Sequence, residues 1–247
     1  MIEPLTPVVE LHSRLGRVGS IQAWNPWKSR ESVAHAKWWV ATVASLSYGN
    51  SEAKNPEKLF QSIVDRGHLS CLEFVPRNVE DEDGNLRALP AVSLRTFPES
   101  LDPSIGNWNP QIAEACSRRY PAHAFLVECP LYVRSQWMRH RSFSYLEMSR
   151  RYTKGSKVAW TFYGSEDPVL HAEQLDAVAK YERRLKAGMP PELARGIIPQ
   201  EAMTRFWACG FDRDWDHFCK EREYLGAQAE TRAFAVWIRE QIGHGPF

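Results

Sequence analysis

Residues 134–157 read RSQWMRHRSFSYLEMSRRYTKGSK, a stretch in which seven Lys or Arg face one acid, Glu147. The whole chain carries a net charge of only +1, so this is a sharp local positive field and not part of a general basic surface. Charge runs ordinarily mark solvated faces, but three features here point to a binding site. Trp137, Phe143, Tyr145 and Tyr152 interleave with the cations. Ser142, Ser144 and Ser149 add short hydroxyls, and the run follows a β-prone apolar segment that would hold its start on a rigid element. An arginine fork donates paired hydrogen bonds that match phosphate oxygens. Hydroxyls and loop N–H groups complete a phosphate cradle. A lone carboxylate among several arginines stays ionised at neutral pH, ready to accept from a sugar hydroxyl or to hold an arginine in place. The chemistry that fits is recognition of a phosphorylated, ring-bearing ligand.

Elements on either side must position this run. Residues 31–48 predict a helix, and 56–66 a second with Pro56 in its first turn and Gly67 as its stop. Residues 71–76 read as a short strand. Residues 77–121 form a loop-rich insert: the acidic run Glu80–Asp83, a hairpin at Asp83–Asn85, several prolines and a short helix near 110–118. Its ends adjoin the segments 67–73 and 136–152; it either lies at a pocket mouth, where Trp108 offers a ring for stacking, or is a surface excursion that braces an oligomer. Residues 124–134 are β-prone, with Pro130 pointing to an edge or a bulge. Helical patterns follow at 166–188 (stopped by Gly188), 191–197, 200–209 and 212–241. Strands early and helices late predict an α+β fold, a mixed or antiparallel central sheet flanked by helices, in one domain spanning 1–247.

Composition narrows the class. Apolar residues make up 43% and charged residues 25%, an ordinary soluble mixture. Ten Trp are many, and core and interface packing accounts for most of them. The balanced charge argues against nucleic acid or an anionic membrane as partner. The N-terminus lacks the pattern of a signal peptide, and no apolar stretch approaches the ~20 residues that span a bilayer. The five cysteines (71, 116, 129, 209 and 219) include no C-x-x-C pair. A disulfide framework or cysteine metal site is therefore not expected, and a reducing cytoplasm fits best.

Around the basic run the chain resembles the flavin-dependent thymidylate synthases, whose signature is R-H-R-x-x-S-x-N-E-x-S-x-R-Y. Arg139, His140, Arg141, Ser144, Glu147, Ser149, Arg151 and Tyr152 stand at the matching spacing, and only the Asn position differs, being Leu146. Gly67-His68, Ser70 and Glu73 are similar to the family's G-H-x-[ST]-x-x-E element. Pro190 to Arg195 resembles its P-x-x-x-A-R segment, followed by Thr204-Arg205-Phe206. The likeness covers roughly 31–76 and 122–240 and omits the insert.

The resemblance implies that Gln136, Glu147, Ser149, Arg151, Arg195 and Arg222 hold a uridine nucleotide, with Arg222, Ser149 and Glu147 nearest the chemistry. It implies that Ser47, His68, Ser70, Arg139, His140, Arg141 and Arg213 hold FAD. It further implies NADPH as reductant, methylenetetrahydrofolate as carbon donor, a homotetramer and no cysteine nucleophile. Departures from the pattern are Leu146, Phe211, His217 and Gly226 near the flavin, and Arg150 in place of a small residue beside the phosphate. They fit altered flavin contacts or an altered substrate, as in a relative that methylates another pyrimidine nucleotide such as UMP; dUMP is the default substrate and UMP a close second. The rival reading is a catalytically silent nucleotide-binding or nucleic-acid-binding protein that keeps the basic pocket.

Overall fold

A computed structural model of the chain describes residues 2–13, 16–30, 32–50, 52–80, 86–89, 118–119, 121–151 and 159–243. The acidic residues 81–83, the turn at 83–85, Trp108, residues 110–117 of the expected short helix, Cys116 and Tyr152 lie outside these.

Five strands form the main sheet in the order β1-β2-β5-β7-β6: β1 (Val9–Ser13), β2 (Gly16–Trp24), β5 (Ala122–Pro130), β7 (Met203–Phe211) and β6 (Ser144–Glu147). Every neighbouring pair is antiparallel. The fold is α+β, and of the two sheet types expected it is the antiparallel one. A separate hairpin pairs β3 (Arg77–Glu80) with β4 (Leu86–Leu89) at the start of the insert, flanking the expected turn.

Side chains of β5 and β7 alternate between two cores. Phe125, Val127, Phe206 and Ala208 face one cluster, while Ala124, Trp207 and Cys209 face the other. The second cluster is covered by α1 (Val33–Ser45) and α2 (Pro56–Asp65). The first is covered by α3 (Leu131–Trp137), α6 (Asp212–Glu223) and α7 (Ala229–Gly243). A smaller cluster joins α4 (Pro168–Lys186) to α5 (Pro191–Ala194) through Tyr181 and Ala194. The helix starts follow from their caps: Ser32 accepts from His35 N, Asn55 from Lys58 N, and Asp167 from Val169 N and Leu170 N.

Four expectations are corrected. Residues 200–209 do not form a helix; Met203–Phe211 is an interior strand. A strand buried on both faces reads as a continuous apolar run with no period to separate it from a buried helix. Residues 71–76 are not a strand. Leu69–Phe74 is a 3-10 helix whose Cys71, Leu72 and Phe74 are buried, and the Trp39 Nε1–H donates to the Phe74 carbonyl (2.8 Å). The helix expected over 212–241 is two helices, because Tyr224 is extended and a turn closes with Ala227 N donating to Tyr224 O (2.9 Å). Arg239 on α7 then reaches back to Asp216 and Glu223 on α6. Finally, Pro130 marks neither an edge nor a bulge. It ends interior strand β5 and starts α3, the junction that launches the basic run. The N-terminal hairpin β1–β2 had no counterpart in the sequence reading.

Most tryptophans are core. Trp24, Trp39 and Trp207 form one edge-and-tilt cluster with centroids 5.2–5.6 Å apart. Trp137 and Trp215 anchor the other core, both fully buried.

Candidate active site

β6 is the edge strand that carries the middle of the basic run, and among the described residues it pairs only with β7: Ser144 opposite Cys209, Glu147 opposite Phe206. Ser144 and Leu146 are buried, so alternation turns Tyr145 and Glu147 to the other side. Beyond β6 two backbone bonds fix the chain: Met148 N to Arg205 O (2.8 Å) and Ser149 N to Ser47 O (3.1 Å). The second brings Ser47, from the 3-10 turn after α1, beside Ser149.

These residues open onto a cavity of about 530 Å³ whose wall includes Arg134, Glu147, Ser149, Arg150, Arg151 and Arg195. That volume suits a mononucleotide-sized ligand. Glu147 is anchored from two sides. Thr204 Oγ1–H donates to its Oε1 (2.8 Å), and Arg134 Nε lies 3.2 Å from the same oxygen, an ion pair angled too poorly for a hydrogen bond. Arg150 is buried, and its guanidinium lies 4.0 Å over the Trp160 ring with Nη2 donating to Ala159 O (3.4 Å). Burial lowers its pKa below the usual guanidinium value. Stacking on an aromatic face holds such a cation in one orientation. Arg151 and Arg195 are exposed at the rim.

Four of the six residues assigned to the nucleotide therefore meet in one cavity. Gln136 and Arg222 do not line it. They meet each other in a second cluster, with His140. Arg222 Nε–H donates to His140 Nε2 (3.0 Å), Nη1 to Gln136 Oε1 (3.3 Å) and Nη2 to the Gln136 carbonyl (3.2 Å). Gln136 sits two residues beyond Arg134 on α3, and such neighbours point away from each other around a helix. One short helix thus serves both clusters.

The flavin-assigned residues are carried by four segments: the 3-10 turn after α1, the 3-10 helix 69–74 with His68 before it, the turn after α3 and the start of α6. His68 starts the 3-10 helix 69–74; Glu73 at its far end shares a small cavity with Ser142, Gly210 and Phe211. His68, Arg139, Arg141 and Arg213 are exposed, Arg213 with its side chain 76% exposed. Exposed arginines with a half-buried hydroxyl, Ser70, are a donor set that fits an anionic dinucleotide. His140 differs from the rest of that set, being buried with one ring nitrogen already engaged.

Burial, then Arg222 and His217, push the His140 pKa down to about 4, so the ring is neutral at neutral pH, a weakened base whose Nε2 lone pair already accepts from Arg222. In the unfolded chain the ring binds a proton below its ordinary 6.5. Between those two values the unfolded state holds more protons, so stability is intact above 6.5 and falls as pH drops toward 4. The expected loss is on the order of 3 kcal/mol. Urea titrations near neutrality and near pH ~4 should show a smaller acid loss in His140→Gln than in the unaltered protein. Equal losses would show that His140 is not the linked group.

For the four described cysteines, burial likewise disfavours nucleophilic chemistry. Cys71 is pushed up to about 11, Cys209 and Cys219 to about 12, and Cys129 well above its ordinary value. Thiols held this far from ionisation are poor nucleophiles. Among the described residues no cluster of His, Cys, Asp or Glu is arranged to hold a metal ion. No described helix is long and apolar enough to cross a membrane.

The family model described as thymidylate synthase complementing protein matches residues 119–244, about half of the chain and both clusters above. The chain belongs to this family. The flavin-dependent thymidylate synthase of Aquifex aeolicus is 30% identical over 195 residues, covering 69% of this chain and 61% of that protein. That of Synechocystis sp. is 27% identical over 221 residues, 81% of each. That of Thermotoga neapolitana is 31% identical over 128 residues, 46% of this chain and 58% of the relative. The chain thus spans about three fifths of the Aquifex and Thermotoga family members. A solved structure, the UMP/dUMP methylase PolB from Streptomyces cacaoi bound with 5-Br UMP, is 20% identical with a TM-score of 0.41. It covers 50% of this chain and 68% of that one. At that score the likeness carries no weight for function.

Sequence reasoning assigned no role to Arg134, Thr204 or Trp160. Arg134 opens the basic run, so its charge was visible; its pairing with Glu147 was not. Thr204 stood in the family-like Thr204-Arg205-Phe206 segment, but its bond to Glu147, 57 residues earlier, was not visible; Trp160 carried no signal.

Proposed function

We propose that the chain catalyses flavin-dependent reductive C5-methylation of a uridine nucleotide. The substrate is dUMP by default, with UMP a close second, and methylenetetrahydrofolate is the carbon donor and NADPH the reductant. The observation that carries this reading is the cavity in which Glu147, Ser149, Arg151 and Arg195, the family's nucleotide residues, share one wall. Membership of the family supports it. Ser47, His68, Ser70, Arg139, Arg141 and Arg213 would hold FAD, which when bound supplies the redox chemistry, while the protein supplies orientation and charge. In the cavity, Arg151 and Arg195 pair with the nucleotide phosphate, and Glu147 accepts from the sugar. Arg222 donates to the uracil carbonyls and stabilises negative charge as C5 attacks the donor carbon.

The division of nucleotide residues between two clusters favours a site completed by a second copy of the chain. A homotetramer in the cytoplasm, each chain one domain, is the assembly we infer. The test offers dUMP, UMP and dCMP separately with methylenetetrahydrofolate, NADPH and FAD, and identifies products by mass. A methylated uridylate from one of the first two is expected. Flavin-loaded, folded protein that methylates none of the three would leave the silent nucleotide-binding reading in its place.

A further inference from the structure

We propose that His140 and Gln136 are positioning residues for Arg222, taking one N–H from each of its three nitrogens and leaving one N–H on each terminal nitrogen for a carbonyl-bearing ring. The inference deepens the uridylate reading and rests on it for the identity of that ring.

A guanidinium carries five N–H groups, one on Nε and two on each terminal nitrogen. In this structure the Nε–H is used by His140 Nε2, one Nη1–H by Gln136 Oε1 and one Nη2–H by Gln136 O. Three contacts to two residues fix both the plane and the rotation of the group. The remaining two donors then stand at set positions, ready for one oxygen or two. A half-buried arginine without such contacts would sample many rotamers and lose that freedom on binding.

His140 is built for this task. Nε–H can only donate, so Nε2 must offer its lone pair and the ring proton must sit on Nδ1. The ring cannot turn easily: it lies 4.9 Å from Phe218, 5.9 Å from His217 and 6.2 Å from Phe143, centroid to centroid. Its backbone is held too. His140 N donates to Trp137 O (2.9 Å), and the Tyr145 hydroxyl lies 2.6 Å from that same carbonyl and 3.2 Å from His140 O, donating to one at a time. Tyr145 thus ties β6 to the turn between α3 and Arg141. Arg222 comes from the last turn of α6, more than eighty residues later in the chain, so the clamp joins the basic run to the C-terminal helices.

Nitrogen-15 NMR of the arginine side chains tests the clamp without any ligand. In the unaltered protein the Arg222 Nε–H should exchange with solvent at least about tenfold more slowly than that of Arg213, whose side chain is 76% exposed. Equal rates would overturn the proposal whatever the variants do. His140→Leu should remove the protection and raise the uridylate Kd about tenfold, the scale of one charge-assisted bond. His140→Gln, which offers an amide oxygen at similar reach, should restore both. Flavin affinity should change less than nucleotide affinity. A His140→Leu variant that loses flavin while keeping Arg222 protection and nucleotide affinity would overturn the positioning role in favour of a flavin contact. If protection follows the expected pattern but the unaltered protein binds neither dUMP nor UMP, the clamp stands and the uridylate reading falls.

Discussion

Arg222→Ala should lower kcat for uridylate methylation on the order of 10²–10³-fold and weaken nucleotide binding by about 1.5–3 kcal/mol, with the fold intact. The large effect follows from where the charge sits. Arg222 is held by three hydrogen bonds, so its charge is already oriented before the ligand arrives. Preorganised donors stabilise developing charge without reorganising, which is why one of them matters so much. The fold should survive because the groups left behind can turn to water or to each other: a half-buried glutamine amide, a carbonyl near a helix end and a neutral imidazole. Arg222→Lys should recover little, since a single ammonium cannot reach all three acceptors. Calorimetric titration with dUMP and UMP, beside thermal unfolding, reads both halves. Unchanged nucleotide affinity in a folded variant would remove Arg222 from the site.

The second large effect is on stability. Trp137→Ala should cost about 3–5 kcal/mol, a substantial part of the ~5–15 kcal/mol that ordinarily holds a domain together. Trp137 is fully buried where α3 meets the sheet and both C-terminal helices. Its ring packs on Phe218 (4.6 Å), Phe206 (5.3 Å), Phe234 (5.8 Å) and Trp215 (6.0 Å). Its carbonyl accepts from His140 N and from the Tyr145 hydroxyl, and Phe218 packs on both the Trp137 and His140 rings, so truncation also loosens the support of the Arg222 clamp. Trp137→Phe keeps most of the apolar contact and should cost clearly less. Urea denaturation of both variants checks this. A loss below about 1 kcal/mol for the alanine variant would mean that the site collapses to fill the space, contrary to the close packing inferred here.

The helices that begin with a capping side chain were legible without coordinates. Ser32, Asn55 with Pro56, and Asp167 each announce a start through local chemistry, and Gly67 and Gly188 announce stops with their positive φ of 65° and 85°. The basic run and its single carboxylate were legible for the same reason: charge density and spacing are properties of neighbours in the chain. What failed was reading β7. Phe206, Trp207, Ala208 and Cys209 are all buried, so nothing in the run distinguishes two faces. Only pairing with β5 on one side and β6 on the other makes it a strand.

The sequence by itself carried the family, because the signature rests on residue types at fixed short spacings, and for the same reason it pointed to a phosphorylated ring as the ligand to test. Tertiary structure decided how the assigned residues are grouped. Glu147, Ser149, Arg151 and Arg195 share one cavity, whereas Gln136 and Arg222 form another group with His140. It also decided that His140 is buried, with its Nε2 accepting from Arg222. Both outcomes depend on side chains separated by tens of residues, His140 from Arg222 and Glu147 from Thr204. Those distances are set by how the sheet and helices pack, and no local pattern of residues encodes them.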